Sequence, residues 1–271
     1  MKRGAASLAA LALVLLAGCS TTTTQTTSVP TTDMPRAANA QTDPAADTTR
    51  RARVRIDLAM AYFGRGQMDV ALEEVKRAQA IDPNLVVAHS LRGLIHANLG
   101  EPGPAEESFR RALALAPRDL DTMQNYSWFL CQQKRYVEAD AQFEQTLALP
   151  GNREPSRTLL AQGVCQAFAG QPEQAERTLL RSYELDPANP STAVNLAELL
   201  LRRGEPERAR FYIRRVNNQT SLVSAQTLWL AARIEHKLGN LTGARELGSQ
   251  LRSRFGDSRE ALAFERGQFD D

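Results

Sequence analysis

Residues 66–83 read Gly-Gln-Met-Asp-Val-Ala-Leu-Glu-Glu-Val-Lys-Arg-Ala-Gln-Ala-Ile-Asp-Pro, and residues 100–117 read Gly-Glu-Pro-Gly-Pro-Ala-Glu-Glu-Ser-Phe-Arg-Arg-Ala-Leu-Ala-Leu-Ala-Pro. Gly66, Ala71, Val75, Ala78 and Pro83 have counterparts 34 residues later in Gly100, Ala105, Phe109, Ala112 and Pro117. A fixed period of this length marks an array of helix pairs, each unable to bury its apolar face without a neighbour. The chain of 271 residues, 42% hydrophobic and 24% charged, has ample material for such a core.

The period is that of the tetratricopeptide repeat. With the closing Pro as position 32, repeat one starts at Ala52 and places Leu58, Ala59 and Tyr62 at positions 7, 8 and 11. Repeat two starts at Val86 with Gly93 at position 8, and repeat three near Leu120 with Tyr126, Ser127, Leu130, Ala139 and Phe143 in register. Its irregular ending, Leu149-Pro150-Gly151-Asn152, inserts two residues before repeat four at Ser156. Repeat five starts at Pro190, and a degenerate sixth near Ala225 has Gly248 where a large side chain is the rule. Small residues at positions 8 and 20 allow the two helices of a pair to cross closely, and larger ones at 24 and 27 fill the next layer. Asp257-Ser258-Arg259-Glu260 resembles a capping box and opens a short helix through Phe264 that would cover the last repeat. The expected fold is all-α: a tetratricopeptide-repeat solenoid of about six helix pairs with a C-terminal capping helix, occupying residues 51–271.

In such an array positions 2, 5, 9, 12 and 13 of the first helices face a concave groove. They nominate Arg53, Ile56, Met60 and Phe63 from repeat one, Leu94 and Asn98 from repeat two, and Gln124 and Trp128 from repeat three. The apolar members suit an extended or helical peptide. Packing against adjacent repeats is the competing role for each. Cys131 and Cys165 fall at positions 12 and 10 of adjacent first helices, so they form either a disulfide joining repeats three and four or two buried thiols.

Catalytic chemistry finds no foothold. No H-E-x-x-H, G-x-S-x-G, phosphate-binding loop or dinucleotide fingerprint occurs, so no enzyme activity, metal or other cofactor and no small-molecule substrate is expected. His89 and His96 lie two turns apart and read as surface or packing residues. Glu73, Glu74, Glu106 and Glu107 read as solvated charge on second helices. The 33 Lys and Arg nearly match the 31 Asp and Glu, and loss of Lys2 and Arg3 would make them equal. A neutral chain without a basic patch carries no footprint for nucleic acid.

The N-terminus is an address. Lys2 and Arg3 precede an apolar run from Ala5 to Ala17, too short for a membrane-spanning helix and suited to a signal peptide. Leu16-Ala17-Gly18-Cys19 resembles a bacterial lipobox, which implies removal of residues 1–18 and acylation of Cys19 (palmitate among the chains). A plain secretory signal with a chance Cys is the other reading. Ser20 after Cys19 implies an outer-membrane destination, facing the periplasm. Residues 20–50 contain eleven Thr and no aromatic residue, which predicts a disordered tether with a reach of roughly 30 Å.

Asn125-Tyr126-Ser127-Trp128-Phe129-Leu130-Cys131-Gln132, followed by Arg135-Tyr136, Glu138 and Ala139, resembles the N-Y-G-x-F-L-C segment of the type IV pilus biogenesis and stability lipoproteins. Arg254-Phe255-Gly256-Asp257-Ser258-Arg259-Glu260 is similar to that family's C-terminal segment. Ser127 stands where Gly is usual and Gly256 where Pro is common. The resemblance implies a pilotin or stability factor that binds the pilus secretin, or another pilus assembly protein, and promotes secretin localisation and multimerisation at the outer membrane. The alternative task for a lipoprotein of this build is a scaffold recruiting cell-wall synthases, hydrolases or proteases.

Overall fold

The computed structural model describes residues 44–269. Cys19, the leader and most of the Thr-rich segment lie outside them. Six helix pairs follow in order: α1 (Pro44–Gly64) with α2 (Met68–Ile81), α3 (Val86–Asn98) with α4 (Pro102–Leu115), α5 (Leu120–Gln132) with α6 (Tyr136–Ala148), α7 (Pro155–Phe168) with α8 (Pro172–Leu185), α9 (Pro190–Arg202) with α10 (Pro206–Asn217), and α11 (Ala225–Lys237) with α12 (Leu241–Phe255). A 3₁₀ turn at Thr220–Leu222 precedes α11, and α13 (Arg259–Glu265) closes the array. The described residues are thus all helix and turn, as the period predicts.

Two boundaries differ from the sequence reading. α1 begins at Pro44 rather than near residue 51, because Pro44 opens the helix at a position that needs no N–H donor and Thr49 Oγ1 donates to Asp82 on the neighbouring loop. The cap of α13 is Ser258, whose Oγ accepts from the Ala261 N–H at 3.1 Å, one residue past the Asp257 of the expected box.

Size trade-offs across each helix pair set the spacing. A Cβ on Gly93 would sit 2.7 Å from the Phe109 ring, and one on Gly163 would sit 2.7 Å from Leu179. Where position 8 is Ala, as in Ala59 and Ala197, position 24 is the smaller Val75 or the β-branched Ile213, and all four are buried. The sixth repeat uses the same rule across different elements. Gly248 leaves a hole at position 24, and Phe264 from α13 fills it so closely that a Cβ there would overlap the ring at 1.9 Å.

The turn between paired helices requires a residue with positive φ. Gly66, Gly100, Gly170, Gly204 and Gly239 supply it at φ 73–76°, but repeat three has Lys134 at φ 61°. A side chain in this conformation costs roughly 1–2 kcal/mol, partly offset in Gly by its freer unfolded chain. Lys134→Gly is therefore expected to stabilise the protein by about 0.5–1 kcal/mol, read as a rise in melting temperature of roughly 1–4 °C. An unchanged or lower value would mean that the exposed Lys134 side chain offsets this strain.

Charged residues on the second helices tie helices together, within a repeat at Glu74 and between repeats at Glu106, rather than simply facing water. Glu74 is buried and ion-paired to Arg55 at 3.1 Å and Arg77 at 2.6 Å, so the expectation of a solvated carboxylate fails there. Glu106 also departs from it: the Tyr126 hydroxyl donates to it at 3.0 Å and Arg135 at 2.9 Å. Burial opposes its charge, but the bonds from Arg135 and Tyr126 outweigh burial and hold its carboxyl below the ordinary value. That contribution to stability is present above the unfolded carboxylate range and fades as pH falls through the folded value. His89 is a packing residue, its Nε2 donating to the Pro83 carbonyl at 2.8 Å while Nδ1 accepts from Gln79 at 3.0 Å.

Candidate partner-binding groove

Successive first helices, α1, α3, α5, α7, α9 and α11, pack on one another along the array, whereas the second helices are spread apart. The first helices therefore line the inner, concave side. Their outward positions form the candidate site.

The nominated residues divide by burial. Met60 is exposed, and Arg53 and Asn98 face solvent, the latter donating Nδ2 to the Leu94 carbonyl of its own helix. Phe63 and Leu94 are half-buried and lean on the first core cluster, so each serves both groove and packing. Ile56 does not line the groove. It is 2% exposed and packs in the cluster with Val75 and Ala78 of α2 and Ala88 and Leu91 of α3, as position 5 is buried in repeat two as well, at Ser90. Leu58 departs from expectation in the opposite sense: position 7 packs on a preceding repeat, repeat one has none, and the side chain stays 38% exposed. Gln124 is half-buried and accepts from Thr158 across the α5–α7 boundary at 3.5 Å.

Trp128 leads toward the part of the groove that the sequence reading did not nominate. Its ring lies 6.4 Å from that of Phe168, which is 60% exposed on α7. Beyond Phe168, a cleft of about 420 Å³ opens between α7 and α9, with Val164 and Ala167 on one wall and Glu198 and Arg202 on the other. Glu198 pairs with Arg202 at 3.0 Å and with Arg233 of α11 at 3.4 Å. Phe168, Val164, Glu198 and Arg233 occupy positions 13, 9, 9 and 9 of their repeats. The positional rule used for repeats one to three would have found them if carried through repeats four to six.

Cys131 and Cys165 meet behind this surface, with Cα atoms 5.8 Å apart and the sulfurs joined across α5 and α7. The same boundary also carries polar contacts between α6 and α7. Gln162 Nε2 donates to Asp140 at 3.0 Å and Glu144 at 2.6 Å, and Gln166 Nε2 to Asp140 at 2.8 Å. Both glutamines are buried, and their amide oxygens have no protein partner among the described residues.

An all-helical solenoid of closely crossed pairs, repeating every 34 residues around an apolar, charge-flanked groove, defines a tetratricopeptide-repeat protein. Tetratricopeptide repeat family models match residues 87–119 and 165–222. The crystal structure of PilW, described as a widely conserved type IV pilus biogenesis factor, superposes with a TM-score of 0.71 at 31% identity, covering 78% of this chain and 97% of that one. The type IV pilus assembly protein PilF of Pseudomonas aeruginosa is 29% identical over 225 residues, 83% of this chain and 88% of that protein. A PilF structure from the same organism superposes with a TM-score of 0.65 at 27% identity, covering 82% and 99%. The chain belongs to the family of type IV pilus biogenesis tetratricopeptide proteins that includes PilW and PilF.

Proposed function

We propose that the protein is the outer-membrane lipoprotein of a type IV pilus system, a pilotin that holds a segment of the pilus secretin in its groove and promotes secretin localisation and multimerisation. The observation that carries this reading is the likeness to PilW over nearly the whole of that chain. The lipobox-like Leu16-Ala17-Gly18-Cys19 supports membrane attachment, and the exposed Met60 and Phe168 support an apolar contact with a partner. No reaction is required. Acylation of Cys19 would supply the address, and tethering would raise the local concentration of groove and secretin segment.

Labelling with radioactive palmitate is expected to mark the parent and not Cys19→Ala, which should remain folded but leave the outer-membrane fraction. A deletion strain is expected to lose heat-resistant secretin multimers and twitching motility. An unlabelled parent would refute the lipoprotein reading. Normal multimers and twitching in the deletion strain would refute the pilotin role and favour the cell-wall scaffold.

A further inference from the structure

The last repeat presents a binding slot that the chain fills with its own tail. Gly267, at φ 67°, ends α13: its N–H donates to the Phe264 carbonyl at 3.0 Å, and the Gln268 N–H to the Ala263 carbonyl at 3.0 Å. This paired closure turns the chain back sharply. The reversal delivers Phe269 onto the face of α11. Its ring stacks on the His236 imidazole at 4.0 Å with 6° between planes, and lies 5.3 Å from the Trp229 ring. Phe264 closes the third side edge-on at 5.6 Å. Arg233 Nε donates to the Phe269 carbonyl at 3.4 Å while its Nη1 contacts Glu198.

Arg233 is position 9 of its repeat, the position that Met60, Trp128, Val164 and Glu198 hold along the groove, and Trp229 and His236 flank it on the same helix at positions 5 and 12. The contacts to Phe269 are of two kinds, aromatic faces around a ring and a guanidinium on a main-chain oxygen. Neither depends on the identity of the flanking residues. Any extended peptide with an aromatic side chain at that point can make both. Through the Arg233–Glu198 pair the slot is continuous with the charged wall of the α7–α9 cleft.

We propose that this slot receives a Phe or Tyr side chain from an extended segment of the partner protein, and that Phe269 is its resident competitor. The proposal rests on the reading of the groove as a partner-binding surface and places its aromatic subsite at α11. A tail that occupies the slot nine-tenths of the time weakens the apparent affinity of a competing peptide about ten-fold.

The probe is the peptide acetyl-Gly-Gln-Phe-Asp-Asp-amide, with an otherwise identical peptide carrying Ala for Phe as the control. The chain has two tryptophans, so a Trp128→Phe background makes Trp229 the sole fluorescence reporter. In that background Phe269→Ala is expected to bind the Phe peptide saturably and the control not at all. The version retaining Phe269 should bind about ten-fold more weakly. Adding Arg233→Ala should weaken binding further. Melting curves accompany each variant, and if Phe269→Ala unravels α13, Phe269→Leu, which keeps an apolar plug without a ring, carries the same comparison. Equal affinity for Phe and Ala peptides, or equal affinity with and without Phe269, overturns the slot. These readings are made on purified protein, so they stand or fall separately from the secretin and twitching results.

Discussion

Cys131→Ser is expected to lower the unfolding free energy by about 3–4 kcal/mol, because the bridge closes a loop of 34 residues and its loss restores that conformational freedom to the unfolded chain. The location amplifies the loss. Apart from Cys165, Ala161 and the Trp128–Phe168 contact, repeats three and four meet through Gln162 and Gln166, whose two buried amide oxygens lack protein partners among the described residues. Unpaired buried acceptors weaken an interface that the covalent link then has to hold. In a repeat array the damage stays near the lost contact. Hydrogen exchange should therefore show lost protection in α6 and α7 first, while α1 to α3 keep theirs. Reducing the parent protein should reproduce the effect, and reduction that leaves its melting temperature unchanged would sink the prediction.

Ala71→Glu should cost about 3–5 kcal/mol and melt repeat one, since Ala71 is fully buried in the first core cluster and a carboxylate there has no room and no partner. Met60→Glu on the same repeat is the contrasting substitution. Met60 is 46% exposed, so a charge there reaches water and should move the melting temperature by little. If the N-terminal groove contacts the secretin, Met60→Glu abolishes multimers in a protein that melts normally. Met60→Glu with normal multimers would remove that end of the groove from the mechanism. Met60 serves this comparison better than Phe63, whose packing against the core would mix the two effects.

The fold was legible because repetition makes each residue a witness for its equivalents. Gly66 and Gly100 announce a turn, Ala71 and Ala105 a close crossing, and the same positions recur until the sixth repeat blurs. What escaped the sequence were features that depend on which neighbour a position meets. Ile56 and Met60 lie one turn apart on α1, yet one packs toward the next pair and the other faces the groove. Leu58 occupies a packing position with no preceding repeat to pack on. Glu74 resembles any surface carboxylate until Arg55, 19 residues away, is brought to its side. Lys134 hides a left-handed turn because repetition predicts the geometry while the local residue type argues against it. The Phe269 slot was out of reach for another reason: its walls come from α11 and α13 and its occupant from beyond α13, with no periodic relation between them.

The insertion of Phe264 against Gly248 gives the array a direction of growth. Solenoids lengthen by duplication when a copied unit finds on its neighbour the same vacant surface that the original found. At the C-terminal end α13 already packs on α11 and α12, with the Phe264 ring in the space that a side chain at residue 248 would fill. The opposite end keeps Val54, Leu58 and Val70 exposed and is closed by nothing comparable among the described residues. A duplicated unit can thus be accommodated among repeats two to five, where every neighbour presents the common face. One inserted after the sixth would have to expel Phe264 and, with it, the turn that carries Phe269 to α11. The residue that seals the array therefore also ties its length to the binding surface at its end.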